Sequence, residues 1–257
     1  TQALWDGHIG GAGAGLGIIP LRQDNTILWG CIDIDIIGID LTRLEEQTQR
    51  LGLPLVVCRS KSGGAHCFLF LKEPVDARIG IDALTSWAAS LGYGGCEIFP
   101  KQTQRYDSEN DIGNWLNMPY FYAERTNRYC WHNGRNLTLE EFEEYATSMA
   151  VTPNDLVSKK NTVTYDGKPV EDGMFEEGPP CLQILHANGG FPDGTRNDGM
   201  YNVAVYLRKR FPDDYANRIQ EYNVAMCDPP LTIEEITTIS RSVGKKQYEY
   251  RCRKPPI

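Results

Sequence analysis

ILWGCIDIDII, residues 27–37, decides how the rest of this chain is read. Apolar and polar residues alternate through it, which is the period of a strand with two unlike faces. Successive side chains of a strand point to opposite sides. Ile32, Ile34 and Ile36 therefore fall on one face, and Cys31, Asp33, Asp35 and Ile37 on the other. The isoleucine face calls for a cover of helices. The other face carries two carboxylates in mid-strand, about 6–7 Å apart, whose repulsion is on the order of a kcal/mol or more at an intermediate dielectric. A divalent cation between them removes that cost, and hard oxygen donors suit Mg²⁺ or Mn²⁺.

Working outward, the elements alternate. Asp40 caps a helix that runs to about Leu51 with Leu41, Leu44 and Leu51 on one stripe. LPLVVC (53–58) and HCFLFL (66–71) are short strands, the second entered through Gly63 and Gly64. A helix bearing Ala83, Leu84, Trp87, Ala88 and Leu91 follows Asp76 and stops at Gly92. CEIFP (96–100) is a fourth strand, and WLNMPYF (115–121) reads as a fifth, with Pro119 at an edge or end. Thr138 and Glu141 form a capping box for one more helix. The first six elements read β-α-β-β-α-β, the ferredoxin-like frame, an α/β (α+β) class. Right-handed crossovers put the first and third strands at its centre, both helices on one face, and leave the other face open.

Residues 151–180 are poor in large apolar residues, rich in Pro, Gly and charge, and without sustained period, so they read as a linker between a domain at 1–150 and another at 181–257. The second domain reads as a small all-α bundle: a helix from Thr195 to Phe211, a helix carrying Tyr215, Ile219 and Tyr222, and a third capped by Thr232 and Glu235.

Bulk properties bound the functions available. At 257 residues, 41 % hydrophobic and 23 % charged, the chain has an ordinary globular composition. No apolar run nears the roughly 18 residues of a membrane span, and no signal peptide is visible. A start at Thr1 and a Pro-rich, basic end at Ile257 read as a fragment of a longer polypeptide. The eight cysteines form no CxxC pair and read as free thiols in a reducing, cytoplasmic setting, with Cys252 open as a ligand of a metal site completed past residue 257. The net charge of −8 opposes broad binding to nucleic acid, but it is uneven: −10 over residues 1–180 and +2 over 181–257, with six basic residues between Arg241 and Lys254 against Glu249 alone. Contact with a polyanion is therefore expected to be local.

The fourth strand brings Glu97, flanked by Cys96 and Ile98, beside the first strand, completing a triad of carboxylates with Asp33 and Asp35. Three carboxylates around one or two metal ions are what nucleotidyl transfer uses. Between the second and third strands, RSKSGGAH supplies Arg59, Lys61, Ser62, Gly63, Gly64 and His66: two cations, two hydroxyls counting Ser60, and glycines that admit a ligand to backbone N–H groups, which together make a triphosphate cradle. Lys101, Gln102 and Asn114 are placed to reach the same pocket.

In this order the motifs resemble those of the archaeo-eukaryotic primase superfamily, most closely the primase-polymerases of phages, plasmids and mobile elements. Ile32-Asp33-Ile34-Asp35 resembles the first motif, Gly64-Ala65-His66 the second, Glu97 in CEIFPKQ the third, and GNWLNMPYF (113–121) a further shared segment. Gly64 stands where the family often has Ser, and Glu97 where it often has Asp. The match spans about 27–121; GTRNDGMYNVAVYL and KKQYEYRC more loosely resemble the helical C-terminal domain that follows such cores. The resemblance implies a primase-polymerase core at 1–150, and metal binding (a two-metal site, Mg²⁺ or Mn²⁺) by Asp33, Asp35 and Glu97. It implies triphosphate binding around Lys61, Ser62 and His66, and synthesis of primers or DNA from NTP or dNTP on a single-stranded DNA template in replication. It also implies a helicase domain or protein as a partner, and a helical domain that assists initiation. The alternatives are a non-catalytic single-stranded nucleic-acid-binding module, a metal-dependent nuclease and a nucleotidyl cyclase.

Overall fold

The computed structural model describes residues 2–105, 113–160, 173–175, 177–192, 194–245 and 248–251. The architecture is mixed α/β. The chain divides into two compact units, one of Thr1–Trp87 and Cys96–Val163, the other of Ala88–Gly95 and Thr164–Ile257.

The elements of the N-terminal region are α1 (Gln2–Ile9), β1 (Gly17–Ile18), β2 (Thr26–Ile34), α2 (Leu41–Arg50), β3 (Val56–Arg59), β4 (Ala65–Asp76), α3 (Ala77–Ser90), β5 (Glu97–Phe99), β6 (Leu116–Asn117), β7 (Trp131–His132), β8 (Arg135–Asn136), α4 (Leu139–Met149) and α5 (Pro153–Lys160). Asp40 caps α2, its carboxylate accepting from the Arg43 N–H at 3.1 Å. Thr138 and Glu141 form the expected capping box on α4. The sheet order is β3-β4-β2-β5 with every pair antiparallel, so the first and third strands of the β-α-β-β-α-β run are central, as right-handed crossovers require.

One face of the sheet is helix-covered as the isoleucines demand. Ile32 and Ile34 are fully buried, together with Leu44 of α2 and Ala83, Leu84 and Trp87 of α3. The other face is not open, and this corrects the expectation. Cys31, Phe68 and Phe99 on the sheet join Leu116, Met118, Tyr120, Cys130 and Leu137 in a second core, with Phe142, Tyr145 and Met149 of α4 packed against it. The cover comes from residues 115–149, whose apolar positions the sequence reading spread over one strand and a helix. Nor is 115–121 a fifth strand of the main sheet: only Leu116–Asn117 is extended, and it pairs with β1 as a separate two-stranded ribbon.

A buried carboxylate fastens this cover. Glu45 of α2 accepts from the Asn133 N–H at 3.0 Å and lies 2.6 Å from His132 Nδ1, whose ring stacks on Tyr145 at 4.0 Å. Glu45→Ala removes the acceptor of the Asn133 N–H and the partner of the half-buried His132 ring, so it is expected to cost about 1 kcal/mol. A denaturant titration checks this, and a loss under about 0.5 kcal/mol would mean that the packing of α4 alone holds the segment.

The segment read as linker also begins inside the structure. Val151 exchanges backbone hydrogen bonds with the β4 strand through Phe70 and Lys72, and Leu156 of α5 is fully buried. Residues 161–172 lie outside the described residues.

The second unit holds α6 (Pro180–Ala187), α7 (Arg196–Arg210), α8 (Tyr215–Met226) and α9 (Ile233–Gly244). Residues 199–207 of α7 are buried without interruption, the mark of a helix surrounded by others. Leu182, Ile219, Tyr222, Ile236, Ile239 and Val243 pack on it. Within the basic tail, Arg251 is engaged by its own unit: it pairs with Asp198 at 2.7 Å and lies over the Tyr201 ring at 3.7 Å. Among the described residues no helix is long and apolar enough to cross a membrane. The seven described cysteines are free thiols, and Cys252 lies outside the described residues.

Candidate functional site

Three strands line up three polar side chains. In the register of the sheet, Asp33 on β2 lies opposite His66 on β4 and opposite Glu97 on β5, giving a lateral row His66–Asp33–Glu97 on the covered face. The row lies at the end of β2, not in mid-strand: β2 stops at Ile34, and Asp35 is the first residue past it. Ile37, expected on the same face, has left the sheet and is 82 % exposed. The cover formed by residues 115–149 buries Cys31 and Phe68 but leaves the Asp33 end accessible through a cleft of about 430 Å³, lined by Asp33, Asp35, Ser60, Lys61, Ser62, His66, Phe99, Trp115, Leu116 and Asn117.

Within the cleft the carboxylates are under electrostatic stress. Asp33 is 13 % exposed, and its Oδ1 is buried with no hydrogen-bond partner. That oxygen stands 3.4 Å from His66 Nε2, an ion-pair separation without hydrogen-bond alignment. Asp35 is held above the usual carboxylate range, chiefly by the negative charge of Asp33, then by burial and by Glu97, with His66 and Lys101 acting the other way. The Cys96 thiol beside the row is pushed up to about 11 by burial and by the same two aspartates. Glu97 is more exposed, at 54 %, and is paired with Lys101 at 2.7 Å.

The turn between β3 and β4 also lines the cleft. Ser60 and Ser62 share a hydroxyl–hydroxyl hydrogen bond at 3.1 Å, and Lys61 and Ser62 face the cleft. The glycines of this turn act differently from the expected cradle. The Gly63 N–H donates to the Ser60 carbonyl. A Cβ on Gly64 would stand 2.2 Å from the Ile34 carbonyl oxygen, so Gly64 is what allows the turn to lie against the end of β2. Arg59 is directed away, its guanidinium donating to the Asn127 carbonyl at 2.7 Å. Among the described residues the cleft lining includes none of Arg59, Gly63, Gly64, Glu97, Lys101, Gln102 and Asn114. The structure thus gathers Asp33, Asp35, Ser60, Lys61, Ser62 and His66, leaves Glu97 and Lys101 paired with each other outside the lining, and adds Phe99, Trp115, Leu116 and Asn117, which the sequence reading did not single out. The one available signal for Trp115 was an aromatic at the start of the GNWLNMPYF segment.

The donors suit a hard divalent cation: carboxylate oxygens, one of them buried and unpartnered. As the side chains are placed, no group of three His, Cys, Asp or Glu among the described residues is gathered to hold one ion. Glu97, the third expected carboxylate, is paired with Lys101.

Residues 2–145, more than half the chain, match the family described as the archaeo-eukaryotic primase domain of a TOTE conflict system. No curated protein matches the chain.

Proposed function

The chain belongs to the archaeo-eukaryotic primase domain family of TOTE conflict systems, a primase-like nucleotidyltransferase family, and from that premise we propose that its cleft joins nucleotides on a single-stranded DNA template, as a primase-polymerase. The observation that carries this reading is the Asp33 carboxylate, with one oxygen buried and unpartnered, in a row between His66 and Glu97 and in a cleft it shares with Lys61 and Ser62. The strand order supports a ferredoxin/RRM-like core for it. A non-catalytic module that stacks bases on sheet-face aromatics is less well supported, since Phe68, at the centre of that face, is buried beneath the cover.

In this reading Asp33, Asp35 and Glu97 hold Mg²⁺ or Mn²⁺, the last after leaving Lys101. When bound, the ions neutralise triphosphate charge and stabilise the departing pyrophosphate. Lys61 and Ser62 take the phosphate end of the nucleotide by charge and hydrogen bonding. His66, 6 % exposed, donates from Nε2 to a phosphate oxygen once that oxygen is nearer than Asp33. Lys101, released from Glu97, adds a cation at the rim. The second unit assists initiation. The family's description names a conflict system, so the setting is proposed as either conflict or replication, with the same chemistry in both.

The testing experiment is a gel assay with labelled NTP or dNTP, single-stranded DNA and Mg²⁺ or Mn²⁺, with and without a preformed primer. Product without primer supports a primase, and extension alone supports a polymerase core. Shortened template with no product would overturn the reading in favour of a nuclease. His66→Ala is expected to raise the KM for nucleotide about tenfold with a smaller change in kcat, which steady-state kinetics checks; an unchanged KM would remove His66 from the phosphate site. Deleting residues 181–257 is expected to reduce unprimed synthesis several-fold more than primer extension in the same assay.

A further inference from the structure

Trp115 is a large aromatic side chain left 57 % exposed on the wall of the cleft. The exposed indole is held in place. Its ring lies on the backbone of Gly17 in β1: a Cβ on residue 17 would stand 2.4 Å from Trp115 Cε3 and 2.9 Å from Cδ2. The ribbon that presents it is fixed in turn. β1 pairs with β6, Gly17 opposite Asn117 and Ile18 opposite Leu116. The buried His8 ring pins both strands, its Nδ1 accepting from the Leu16 N–H at 2.9 Å and its Nε2 donating to the Pro119 carbonyl at 2.8 Å.

The cleft therefore has two unlike parts. Carboxylates, Lys61 and Ser62 form a polar part suited to a polyphosphate with its cations, while Phe99, Leu116 and the indole form an apolar, aromatic part. A ligand that satisfies both carries a polyanionic chain at one end and a flat ring at the other, which is the constitution of a nucleoside triphosphate. We propose that Trp115 is the platform on which the base of the incoming nucleotide stacks, and that Gly17 is a positioning residue that lets the indole lie flat. Stacking uses the π-face that every base shares, so the platform adds affinity without choosing among bases, and selection is left to the template. This proposal rests on the nucleotidyl-transfer reading of the cleft.

The test measures equilibrium binding of ATP, dATP and inorganic tripolyphosphate in Mn²⁺ to the full chain, for wild type, Trp115→Ala, Trp115→Phe and Gly17→Val. Tripolyphosphate has no base and reports on the polar part alone. Trp115→Ala is expected to weaken nucleotide binding about 5- to 100-fold and tripolyphosphate binding less than about twofold, with Trp115→Phe recovering most of the loss and Gly17→Val resembling Trp115→Ala. Unchanged nucleotide affinity in Trp115→Ala, or equal losses for nucleotide and tripolyphosphate, would overturn the platform and leave the nucleotidyl-transfer reading standing. Wild-type protein that binds neither probe would overturn that reading and the platform with it.

Discussion

Asp33→Ala is expected to lower nucleotide incorporation by at least about 1000-fold, a barrier increase of about 4 kcal/mol, while leaving the metal-free protein as stable as wild type or more so. The two halves of this result come from one observation. Asp33 is the carboxylate at the centre of the row, with Glu97 opposite on β5 and Asp35 two residues on, and one of its oxygens is buried without a hydrogen bond. A buried polar atom in that state weakens the fold, and the like charge of Asp35 adds to the cost. Removing the carboxylate relieves both, against loss of the loose 3.4 Å pairing with His66. The net change is on the order of 1 kcal/mol of stabilisation, or a rise of a few degrees in melting temperature. Primer extension and thermal denaturation without metal, run on the same preparation, read the two quantities. Full activity in the variant would remove Asp33 from the chemistry; a melting temperature lowered by ten degrees would show that it is an ordinary structural residue.

Millimolar Mn²⁺ is expected to raise the melting temperature of the wild type by about 5–10 °C and that of an Asp33→Ala, Asp35→Ala double variant by less than about 2 °C. A ligand present at 100 times its dissociation constant stabilises the state that binds it by about 2.7 kcal/mol, and for a protein of this size each kcal/mol moves the midpoint by about 2–4 °C. The electrostatics predict the same direction. The Asp35 carboxyl is held above its ordinary range by Asp33, so its folded-state pKa lies above its unfolded one. Its favourable contribution is present at pH below the unfolded value and is lost as pH rises through the folded value. Above the folded value the metal-free Asp35 carboxylate is in its repulsive state, and a cation gains most there. Scanning calorimetry with Mn²⁺, Mg²⁺ and chelator checks the shift. Equal shifts in wild type and double variant would place the ion elsewhere on the protein.

Among the described residues no three ligands are gathered, and Glu97 is paired with Lys101. Asp33 and Asp35 are bound to their positions by the end of β2, but Glu97 has a long, half-exposed side chain and a cation four residues on. In the absence of another positive charge Lys101 is its best partner. Lys101 also stands over the Phe99 ring at 5.0 Å.

Local pattern alone determined much of this protein. The alternation in ILWGCIDIDII fixed β2 and the side on which Asp33 lies, though not where the strand ends. The capping residues Asp40, Thr138 and Thr232 fixed three helix starts, and the β-α-β-β-α-β order with right-handed crossovers fixed which strands neighbour Asp33. These features were legible because each depends on residues close in sequence or on chain chirality. Tertiary structure alone decided what lies over the sheet. Residues 115–149 cover a face that read as open, because their apolar side chains follow no single period and declare their role only on meeting Cys31, Phe68 and Phe99. The same folding turned Arg59 toward Asn127, assigned Gly64 to a close approach against Ile34, paired Glu97 with Lys101 and set Trp115 on Gly17. Each of these depends on where two distant segments come to rest, and a side chain's partner at such a place is chosen by the local balance of charge, burial and space, which no one-dimensional spacing encodes.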